Sequence, residues 1–415
     1  MTRPAAPAKP WPTLSWSGPL SRARQTTSSL LSAHGAPPDV DHDEDLLEVD
    51  LEPWSGLLRR DLTSIDPEGE RRWRQAPETL ELERGDGTRF RPLVELMAQA
   101  ERFADRVLAS HDHALTPGGE GRSAVDQSIL VVAHNAILRC LVLHLLGLPL
   151  SGFPRLRIEN GSVSVLNLSR DGDGTLKVQI ESLNGLMHLG TPMPRRVQGP
   201  RLLLVRHGET DWNRQGRFQG QMDIPLNARG LEQAAAARQL LSEVAIHRAF
   251  TSSMARPRQT AEAILADHPG VDLTGTDGLR EIGHGLWEGR LEQEIAEGWP
   301  ELLAEWKQTP ETVLMPEGES VQMVWDRSLK AWADIVGSLS NQEVALVVAH
   351  DAVNKTILCA LLGLGPGDIW TVKQGNGGIT VIDYPEGPAG PPVVAALNLT
   401  GHLGGVIDRT AAGAL

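Results

Sequence analysis

An arginine, a histidine and a glycine follow a short apolar run near the middle of the chain. Leu202–Val205 precede Arg206, His207 and Gly208. Four consecutive apolar residues between polar ones predict a short strand that is buried on both faces, as in a parallel sheet covered by helices. Ligands of such sheets bind beyond the carboxyl ends of the strands, where a glycine lets the backbone turn sharply. The motif therefore predicts an anion site at the end of this strand.

Several further polar motifs accompany this one. In chain order they are Arg206-His-Gly-Glu-Thr210, Asn213, Gly216-Arg-Phe-Gln-Gly220, Asp223-Ile-Pro-Leu-Asn227, Ser252-Ser-Met-Ala-Arg256-Pro-Arg-Gln-Thr-Ala261, Leu279-Arg-Glu281 with Gly285-Leu-Trp-Glu-Gly289, and Val347-Val-Ala-His350. In this order they cover residues 200 to 403 and resemble the histidine phosphatase superfamily, the phosphoglycerate mutase-like clan. The resemblance implies phosphoryl transfer through a phosphohistidine.

Such a transfer needs a nucleophile, positive charge on the phosphoryl oxygens and an acid for the leaving oxygen. His207 is the predicted nucleophile, because a neutral imidazole can attack phosphorus once a hydrogen bond holds its other nitrogen. A carbonyl near Gly208 is a possible partner for that nitrogen. Arg206 and Arg256 are expected to bind phosphate oxygens through pairs of N–H donors.

Two further side chains complete the predicted chemistry. Glu281 is the predicted general acid, and a site walled by Trp287 would raise its pKa, whereas the arginines would lower it. His350 ends its own buried strand and is expected to donate to the phosphoryl oxygens as an imidazolium, with Asp351 raising its pKa. By family analogy, secondary phosphate or substrate contacts are assigned to Asn213, Gln219 and Gly220.

Three functions fit these motifs. The first is a phosphomonoesterase for a small phosphorylated metabolite, without cofactor or metal, because the acidic residues are not clustered as a magnesium site requires. The second is a phosphoglycerate mutase; the segment from Glu281 to His350, 69 residues, is compact, which favours hydrolysis because mutases shield the phosphoenzyme with a longer insertion. The third is a non-catalytic scaffold or phospho-ligand-binding protein.

Composition describes a soluble globular protein. The chain has 415 residues, 40% of them hydrophobic and 22% charged, which predicts two domains of about 200 residues each. Its 53 acidic and 39 basic residues give a net charge of −14, which argues against general affinity for nucleic acid or for an anionic membrane. Cys140 and Cys359 lie in apolar runs and predict buried thiols in a reducing, cytoplasmic compartment.

Two stretches could be mistaken for membrane-targeting segments. Residues 1–12 contain four prolines and no apolar run, so they do not fit a signal peptide. Ile129–Leu150 is long and apolar, but it contains His134, Asn135 and Arg139, which are costly in hydrocarbon. A strand followed by a buried helix is the better interpretation, and no transmembrane segment is expected.

The chain also repeats itself once. Arg22 matches Arg256 at an offset of 234, Glu48 matches Glu281 at 233, and His134 matches His350 at 216. Three further matches are Pro77 with Pro310, Asn160-Gly161 with Asn376-Gly377, and His188 with His402. The fall in offset predicts an insertion in the first copy, most simply the Gly- and Ser-rich loop Pro117–Ser128.

The first copy is incomplete, because no counterpart of the strand that carries Arg206 and His207 precedes Arg22. The predicted organisation is a proline-rich lead-in (1–18), an incomplete copy (19–190), a linker (191–200) and a complete copy (201–415). The first copy is either a structural or regulatory remnant, or its true start lies upstream. His188 and His402 are expected to be structural, as is Glu288.

Alternating signals in the second copy predict an α/β fold, a three-layer α/β/α sandwich with a mainly parallel sheet, present twice. Predicted strands are Leu202–Arg206, Ala249–Ser252, Val344–Ala349, Ile379–Asp383 and Val393–Leu397. Helices are expected after Asn227, near Pro257 and over Ala352–Leu362, with a helix-rich excursion from Leu291 to Leu339.

Overall fold

The computed structural model describes residues 12–115 and 127–410. Most of the predicted lead-in and most of the predicted inserted loop fall outside these residues. Within them, no helix is both long and apolar enough to cross a lipid bilayer.

The chain divides into two compact units. The first unit comprises the residues up to Pro154 together with Leu168–Val178, and the second comprises Arg155–Asn167 together with the residues from Gln179 onward. The linker predicted at residues 191–200 places the end of the first domain at residue 190. The boundary between the two compact units lies elsewhere. The difference arises because the last strands of the first copy extend the sheet of the second unit.

The strands lie in three sheets. In chain order they are β1 (Leu14–Ser17), β2 (Val40–His42), β3 (Leu82–Glu83), β4 (Arg89–Phe90), β5 (Ile129–Val132), β6 (Val163–Arg170), β7 (Leu176–Gly185), β8 (Arg201–Arg206), β9 (Arg248–Ser252), β10 (Leu273–Thr276), β11 (Val344–Ala349), β12 (Ile379–Asp383) and β13 (Val393–Leu399). The largest sheet has the order β10-β9-β11-β8-β12-β13-β7-β6. Strands β10, β9, β11 and β8 are parallel, whereas β12, β13 and β7 pair antiparallel.

Both units contain helices, and those of the second unit cover both faces of the large sheet. The helices are α1 (Ser21–Leu31), α2 (Arg59–Ile65), α3 (Pro67–Gln75), α4 (Pro92–Ser110), α5 (Asp112–Leu115), α6 (Asn135–Leu145), α7 (Asp211–Gln215), α8 (Ala228–Leu241), α9 (Ala255–Leu265), α10 (Glu292–Gly298), α11 (Pro300–Gln308), α12 (Val321–Gly337) and α13 (Asp351–Leu362). Helices α8 and α9 pack on one face, and α13, backed by α12, packs on the other. The fold is therefore the predicted three-layer α/β/α sandwich.

The central strands are apolar because both of their faces are covered. All six residues of β8 and all six of β11 are buried, and the two strands pair in register from Arg201 with Val344 to Arg206 with Ala349. Parallel sheets of this kind require continuous apolar runs. The register brings the carboxyl ends of β8 and β11 side by side, so His207 and His350 leave the sheet at the same edge.

The first unit contains a smaller parallel sheet in the order β2-β1-β5. Strand β1 lies inside the predicted lead-in, so the lead-in boundary at residue 18 is corrected. The repeat offsets make β2, β1 and β5 counterparts of β10, β9 and β11, while β6 and β7 correspond to β12 and β13. Among the residues described for this unit, no strand occupies the place of β8.

The predicted elements of the second copy are present, with ends that differ by one or two residues. Asn227 caps α8, its side chain accepting from the amide of Gly230 at 2.9 Å. Pro257 lies in the first turn of α9, where a missing N–H costs little. Strand β10 was not predicted, because Leu273–Thr276 offers only one strongly apolar residue.

Candidate active site

The turn after β8 holds His207 in one orientation. The Nδ1 of His207 lies 2.7 Å from the carbonyl oxygen of Gly208, and because a carbonyl can only accept, Nδ1 carries the proton. The amide of Gly208 donates to Thr260 Oγ1 at 3.1 Å. A side chain at Gly208 would meet the backbone oxygen of Gly230 at 2.4 Å, so this turn requires glycine. The remaining nitrogen of His207, Nε2, therefore carries the free lone pair.

His207 is buried and electrically neutral. Burial lowers the pKa of His207 well below its usual value, and the nearby Arg256 and Arg206 lower it further. Its Nε2 accepts from Nε of Arg256 at 3.2 Å. A neutral imidazole with a fixed tautomer and a guanidinium beside its free nitrogen is a competent nucleophile toward an anionic ester.

Arg256 belongs to α9 and is fully buried. Its guanidinium donates to the carbonyl of Gly220 at 2.8 Å and to that of Met222 at 3.1 Å. Burial lowers the pKa of Arg256 to about 10, with Glu281 and Asp223 opposing the fall, so the side chain keeps its charge at neutral pH. The turn after Gly216 thus holds the guanidinium beside His207.

Arg206 approaches from the end of β8. Its Nη1 donates to the carbonyl of Gln374 at 2.5 Å and lies 3.6 Å from Oδ1 of Asp351. Its Nε is buried and has no hydrogen-bond partner among the described residues. A buried donor without a partner is costly, and a phosphoryl oxygen would satisfy it.

His350 follows β11 and faces His207, with 5.2 Å between the ring centroids. Its Nε2 lies 2.9 Å from Oγ of Ser252 at the end of β9. Burial lowers the pKa of His350 well below its usual value, and Arg256 and His207 lower it further. Burial and these neighbouring charges oppose the expected imidazolium, and the Asp351 carboxylate pairs with Arg206 and Lys355.

Glu281 is buried beside the start of α13. Its carboxyl group accepts from the amides of Asp351 at 3.0 Å, Ala352 at 3.2 Å and Ile282 at 3.0 Å. Burial raises the pKa of Glu281 and Asp351 adds to the rise, whereas Arg256 lowers it. The carboxyl group is thus fixed in position, and its raised pKa favours the protonated form that a general acid requires.

The three secondary contacts assigned by analogy lie in the same region. Asn213 Oδ1 accepts from the amide and hydroxyl of Thr210 in the capping box of α7. Gln219 Oε1 lies 3.1 Å from Thr210 Oγ1 and competes with Asn213 Oδ1 for the one hydroxyl proton, while its buried Nε2 has no partner in the described chain. Gly220 has a φ of +53° and supports Arg256 through its carbonyl. Of these three, Gln219 alone shows a buried donor left open for a ligand.

Sequence reasoning missed Asn376, which supports the backbone at His207. Its Nδ2 donates to the carbonyl of His207 at 3.2 Å and lies 3.3 Å from Oδ1 of Asn213. The repeat of Asn160-Gly161 as Asn376-Gly377 was the available signal, although it marks a position and not a role. The supporting hydroxyls of Ser252 and Thr260 also went unassigned.

Three residues set aside as structural behave as expected. His188 and His402 place Nε2 at 2.8 Å and 3.1 Å from the carbonyl oxygens of Gly161 and Gly377, which are themselves repeat counterparts. Glu288 accepts from the amides of Gln221 at 2.8 Å and Met222 at 2.9 Å and so shapes a turn. Cys140 and Cys359 are buried thiols, as predicted.

The first unit retains a partial version of the cluster. Nε of Arg22 donates to Nδ1 of His134 at 3.1 Å, and the Glu48 carboxylate accepts from the amide of Ala136 at 3.1 Å. The Nε2 of His134 is buried and has no partner among the described residues. Gly18 occupies the position of Ser252 at the end of the equivalent strand.

Known proteins resemble the chain over both copies. A model of the histidine phosphatase superfamily (branch 1) matches residues 5–181 and 202–397. The 2-carboxy-D-arabinitol-1-phosphatase of Triticum aestivum is 36% identical over 414 residues, covering 94% of this chain and 76% of that protein.

Other relatives match about half of the chain. Phosphoserine phosphatase 1 of Hydrogenobacter thermophilus is 34% identical over 204 residues, 49% of this chain and 94% of that protein. The probable phosphoglycerate mutase GpmB of Enterobacter sp. (strain 638) is 35% identical over 188 residues, 45% of this chain and 85% of that protein. The wheat protein thus resembles the duplicated chain, and these two resemble a single copy.

Proposed function

Because the chain belongs to the histidine phosphatase superfamily, we propose that it hydrolyses phosphomonoesters of small metabolites through a phosphohistidine at His207, without a metal. The single observation that carries the proposal is the state of His207. Its Nδ1 donates to Gly208, and its free Nε2 faces Arg256 in a buried site that also contains His350.

In the first half-reaction, the lone pair of His207 Nε2 forms a bond to phosphorus as the bond from phosphorus to the ester oxygen breaks. Arg206 and Arg256 hold the non-bridging oxygens, and His350 donates one N–H to them. Glu281 gives its proton to the departing alkoxide, so the alcohol leaves neutral. The raised pKa of Glu281 supports this role at neutral pH.

In the second half-reaction, the Glu281 carboxylate takes a proton from water as the water oxygen attacks phosphorus. The bond between phosphorus and Nε2 breaks, and inorganic phosphate is released with the imidazole restored to neutrality. The two guanidinium groups supply the positive charge that a metal supplies in other phosphatases. The same carboxyl group therefore serves as acid and then as base.

Hydrolysis is preferred over mutase chemistry because the segment from Glu281 to His350 is short. It holds α10, α11 and α12, and we expect water to reach the phosphoenzyme. Mutase activity is the second candidate function, because a relative that matches about half of the chain is named as a probable phosphoglycerate mutase.

The first substrates to test follow from the names of two relatives, one of which spans both copies. That protein is named for 2-carboxy-D-arabinitol 1-phosphate, and a half-length relative is named for phosphoserine. Both names denote a phosphate ester on a small molecule that also carries a carboxylate. We propose this class as the substrate class.

The experiment compares the wild-type chain with His207→Ala, with and without a chelator. A generic aryl phosphate, 2-carboxy-D-arabinitol 1-phosphate, phosphoserine and 3-phosphoglycerate are offered in turn. Phosphate release by the wild type alone, unchanged by the chelator, is the expected result. Formation of 2-phosphoglycerate would favour the mutase, and ligand binding without turnover would favour a non-catalytic protein.

A further inference from the structure

We propose that Glu181, a residue of the first copy, is a positioning residue for the nucleophile His207. It acts through the segment Asp408–Thr410 and through Asn376, and the inference rests on the proposed function. The first copy would thereby contribute to catalysis although it lacks a nucleophile strand of its own.

Within the second unit, β7 of the first copy pairs with its own counterpart, β13. The paired residues Leu183 and Leu397 are repeat equivalents, separated by 214 positions. Asn184 donates through Nδ2 to the carbonyl of Ala395 at 2.6 Å, and Asn398 donates through Nδ2 to the carbonyl of Glu181 at 2.8 Å. Glu181 and Ala395 are again 214 positions apart, so the two hydrogen bonds are reciprocal.

The reciprocity extends along both segments. Asn184 and Asn398 have positive φ values of 58° and 50°, which asparagine tolerates better than most residues. Three more hydrogen bonds of the first copy have counterparts in the second. The amide of Glu159 donates to Asn184 Oδ1 as that of Gly375 donates to Asn398 Oδ1, and the amide of Asn184 donates to Ser164 Oγ as that of Asn398 donates to Thr380 Oγ1. The amide of Arg157 donates to the carbonyl of Val394 as that of Lys373 donates to the carbonyl of Ile180.

Such a contact uses the same surface on both sides, as in an isologous interface between two identical subunits. The first copy therefore supplies the strand, β7, that covers the edge of β13.

The symmetry fails at Glu181, whose counterpart is Ala395. The Glu181 side chain is 1% exposed. Its Oε1 accepts from the amide of Asp408 at 2.9 Å, and its Oε2 accepts from Nδ2 of Asn167 at 3.0 Å and lies 3.4 Å from Nζ of Lys373. A buried carboxylate is costly unless its partners satisfy it. These partners fix Glu181, and Glu181 in turn fixes the backbone at Asp408.

From Asp408 a series of hydrogen bonds leads to the nucleophile. Asp408 Oδ1 accepts from the amide of Thr410 at 2.9 Å, and Thr410 Oγ1 accepts from the amide of Asn376 at 3.0 Å. Asn376 donates through Nδ2 to the carbonyl of His207 at 3.2 Å. The amide of the next residue, Gly377, also lies 3.2 Å from that carbonyl. The backbone carbonyl of His207 is thus held by both Asn376 and Gly377.

Nucleophile placement is sensitive to small errors, since a displacement of about 1 Å can cost about 100-fold in rate. Loss of Glu181 would free Asp408–Thr410 and loosen Asn376 while leaving Arg206, Arg256 and Glu281 in place. The expected signature is a fall in kcat with little change in KM, because phosphate contacts survive while in-line attack suffers.

The test uses the full chain and four variants: Glu181→Ala, Glu181→Gln, Thr410→Val and the double variant Glu181→Ala with Thr410→Val. We expect each alanine or valine single variant to lower kcat about tenfold with KM changed less than about twofold. Glu181→Gln keeps an acceptor for Asp408 and is expected to recover most of the rate. Because both residues act in one series, the double variant should fall no further than the worse single variant.

Lys177→Ala is the matched control, since Lys177 lies on the same strand and pairs with Asp171 at the surface. It should leave kcat unchanged. Wild-type kcat in Glu181→Ala, or multiplied losses in the double variant, would overturn the proposal. Thr410→Val removes only one partly exposed hydroxyl, so it remains informative if Glu181→Ala fails to fold.

Hydrogen exchange gives a second readout that needs no turnover. In Glu181→Ala the amides of residues 375–378 should exchange faster than in the wild type, while those of the central strands β8 and β11 keep their protection. Unchanged exchange at 375–378 would overturn the proposal even in an active enzyme. If the wild type hydrolyses no phosphate ester but this exchange still rises, the proposed function fails and the positioning link stands.

Discussion

The two copies keep the same three polar residues in different surroundings. In the second copy Arg256, Glu281 and His350 surround His207, and all four are buried. In the first copy Arg22 is exposed and Glu48 half-buried, although Arg22 still donates to His134 and Glu48 still accepts from the start of α6.

The difference comes from one strand. Where β8 is present it pairs with β11, and every residue of β11 is buried. Strand β5, its counterpart, is covered by β1 on one edge and is partly exposed along its whole length. Strand β8 supplies Arg206 and leads directly into His207, and it covers one edge of β11. Both copies therefore keep an arginine, a carboxyl group and a histidine, but the described residues of the first copy include no strand in the place of β8.

The largest difference between the copies is expected when the glutamate of each copy is replaced by glutamine. Glu281→Gln should lower kcat about 1,000-fold, because loss of general acid catalysis typically costs 100- to 10,000-fold. Glu48→Gln should leave turnover within about twofold. Steady-state rates with aryl phosphates of different leaving-group pKa check this, since the Glu281→Gln defect should shrink as the leaving group becomes more acidic. A large loss in Glu48→Gln would mean that the first copy takes part in the chemistry.

The paired histidines give the next largest effect. His350→Ala removes one donor to the phosphoryl oxygens and should lower kcat about 100-fold. His134→Ala, at the equivalent position, should leave kcat and KM unchanged. Single-turnover measurement of phosphoenzyme formation locates the His350→Ala defect in the first half-reaction. Equal losses in the two variants would mean that His134 of the first copy also takes part in turnover.

Acid should weaken the second unit through its buried imidazoles. Burial lowers the pKa of His284 to about 3, whereas in the unfolded chain it is about 6.5. Below pH 6.5 the unfolded chain binds the extra proton, so the free energy of unfolding falls as the pH falls. His284 alone accounts for about 2 kcal/mol between pH 6.5 and pH 5.

Urea unfolding of the wild type and of His284→Gln at pH 7.5 and pH 5 measures this contribution. The variant should show the weaker dependence on pH. An equal loss in both proteins would show that His284 is not the group responsible. His134 is less buried than His284 and its pKa is lowered less, so His134→Gln is the matched control from the first copy.

Sequence patterns predicted the parts of the molecule that depend on local signals. The apolar runs before His207 and His350 predicted two buried strands. The order of the motifs predicted that Arg256 and Glu281 lie at the same edge of the sheet as these two histidines. The lowered pKa of His350 could not be predicted, because it depends first on the burial of the ring and then on the approach of Arg256, which lies far away in the sequence.

The pairing of β7 with β13 across the two copies was equally hidden from local patterns. Strand β7 lies between β6 of its own copy and β13 of the other, and nothing in its residues specifies the second partner. The linker signal at 190–200 marks where the chain is irregular, but the sheet determines which residues pack together. Asn376 was visible only as a repeated residue, because its role depends on the approach of the backbone at His207.

The smallest effects are expected from Ser252, which lies beside His350, and from its counterpart Gly18, which lies beside His134. Ser252→Ala leaves His350 Nε2 buried without its partner at 2.9 Å, which costs about 1–3 kcal/mol. Because His350 can then reorient, kcat should fall about tenfold. Gly18→Ser makes the opposite change in the first copy and brings a hydroxyl close to the buried Nε2 of His134.

The gain in Gly18→Ser is limited, because the new Cβ would lie 2.9 Å from the carbonyl oxygen of Leu46. The added hydrogen bond and the crowding nearly cancel, so we expect the free energy of unfolding to change by less than about 1 kcal/mol and turnover to stay the same. Thermal unfolding and steady-state rates on both variants measure these effects. A tenfold fall in kcat for Gly18→Ser would show that the first copy contributes to turnover through Arg22 and His134. The two copies would then cooperate in turnover, and the first would not be catalytically silent.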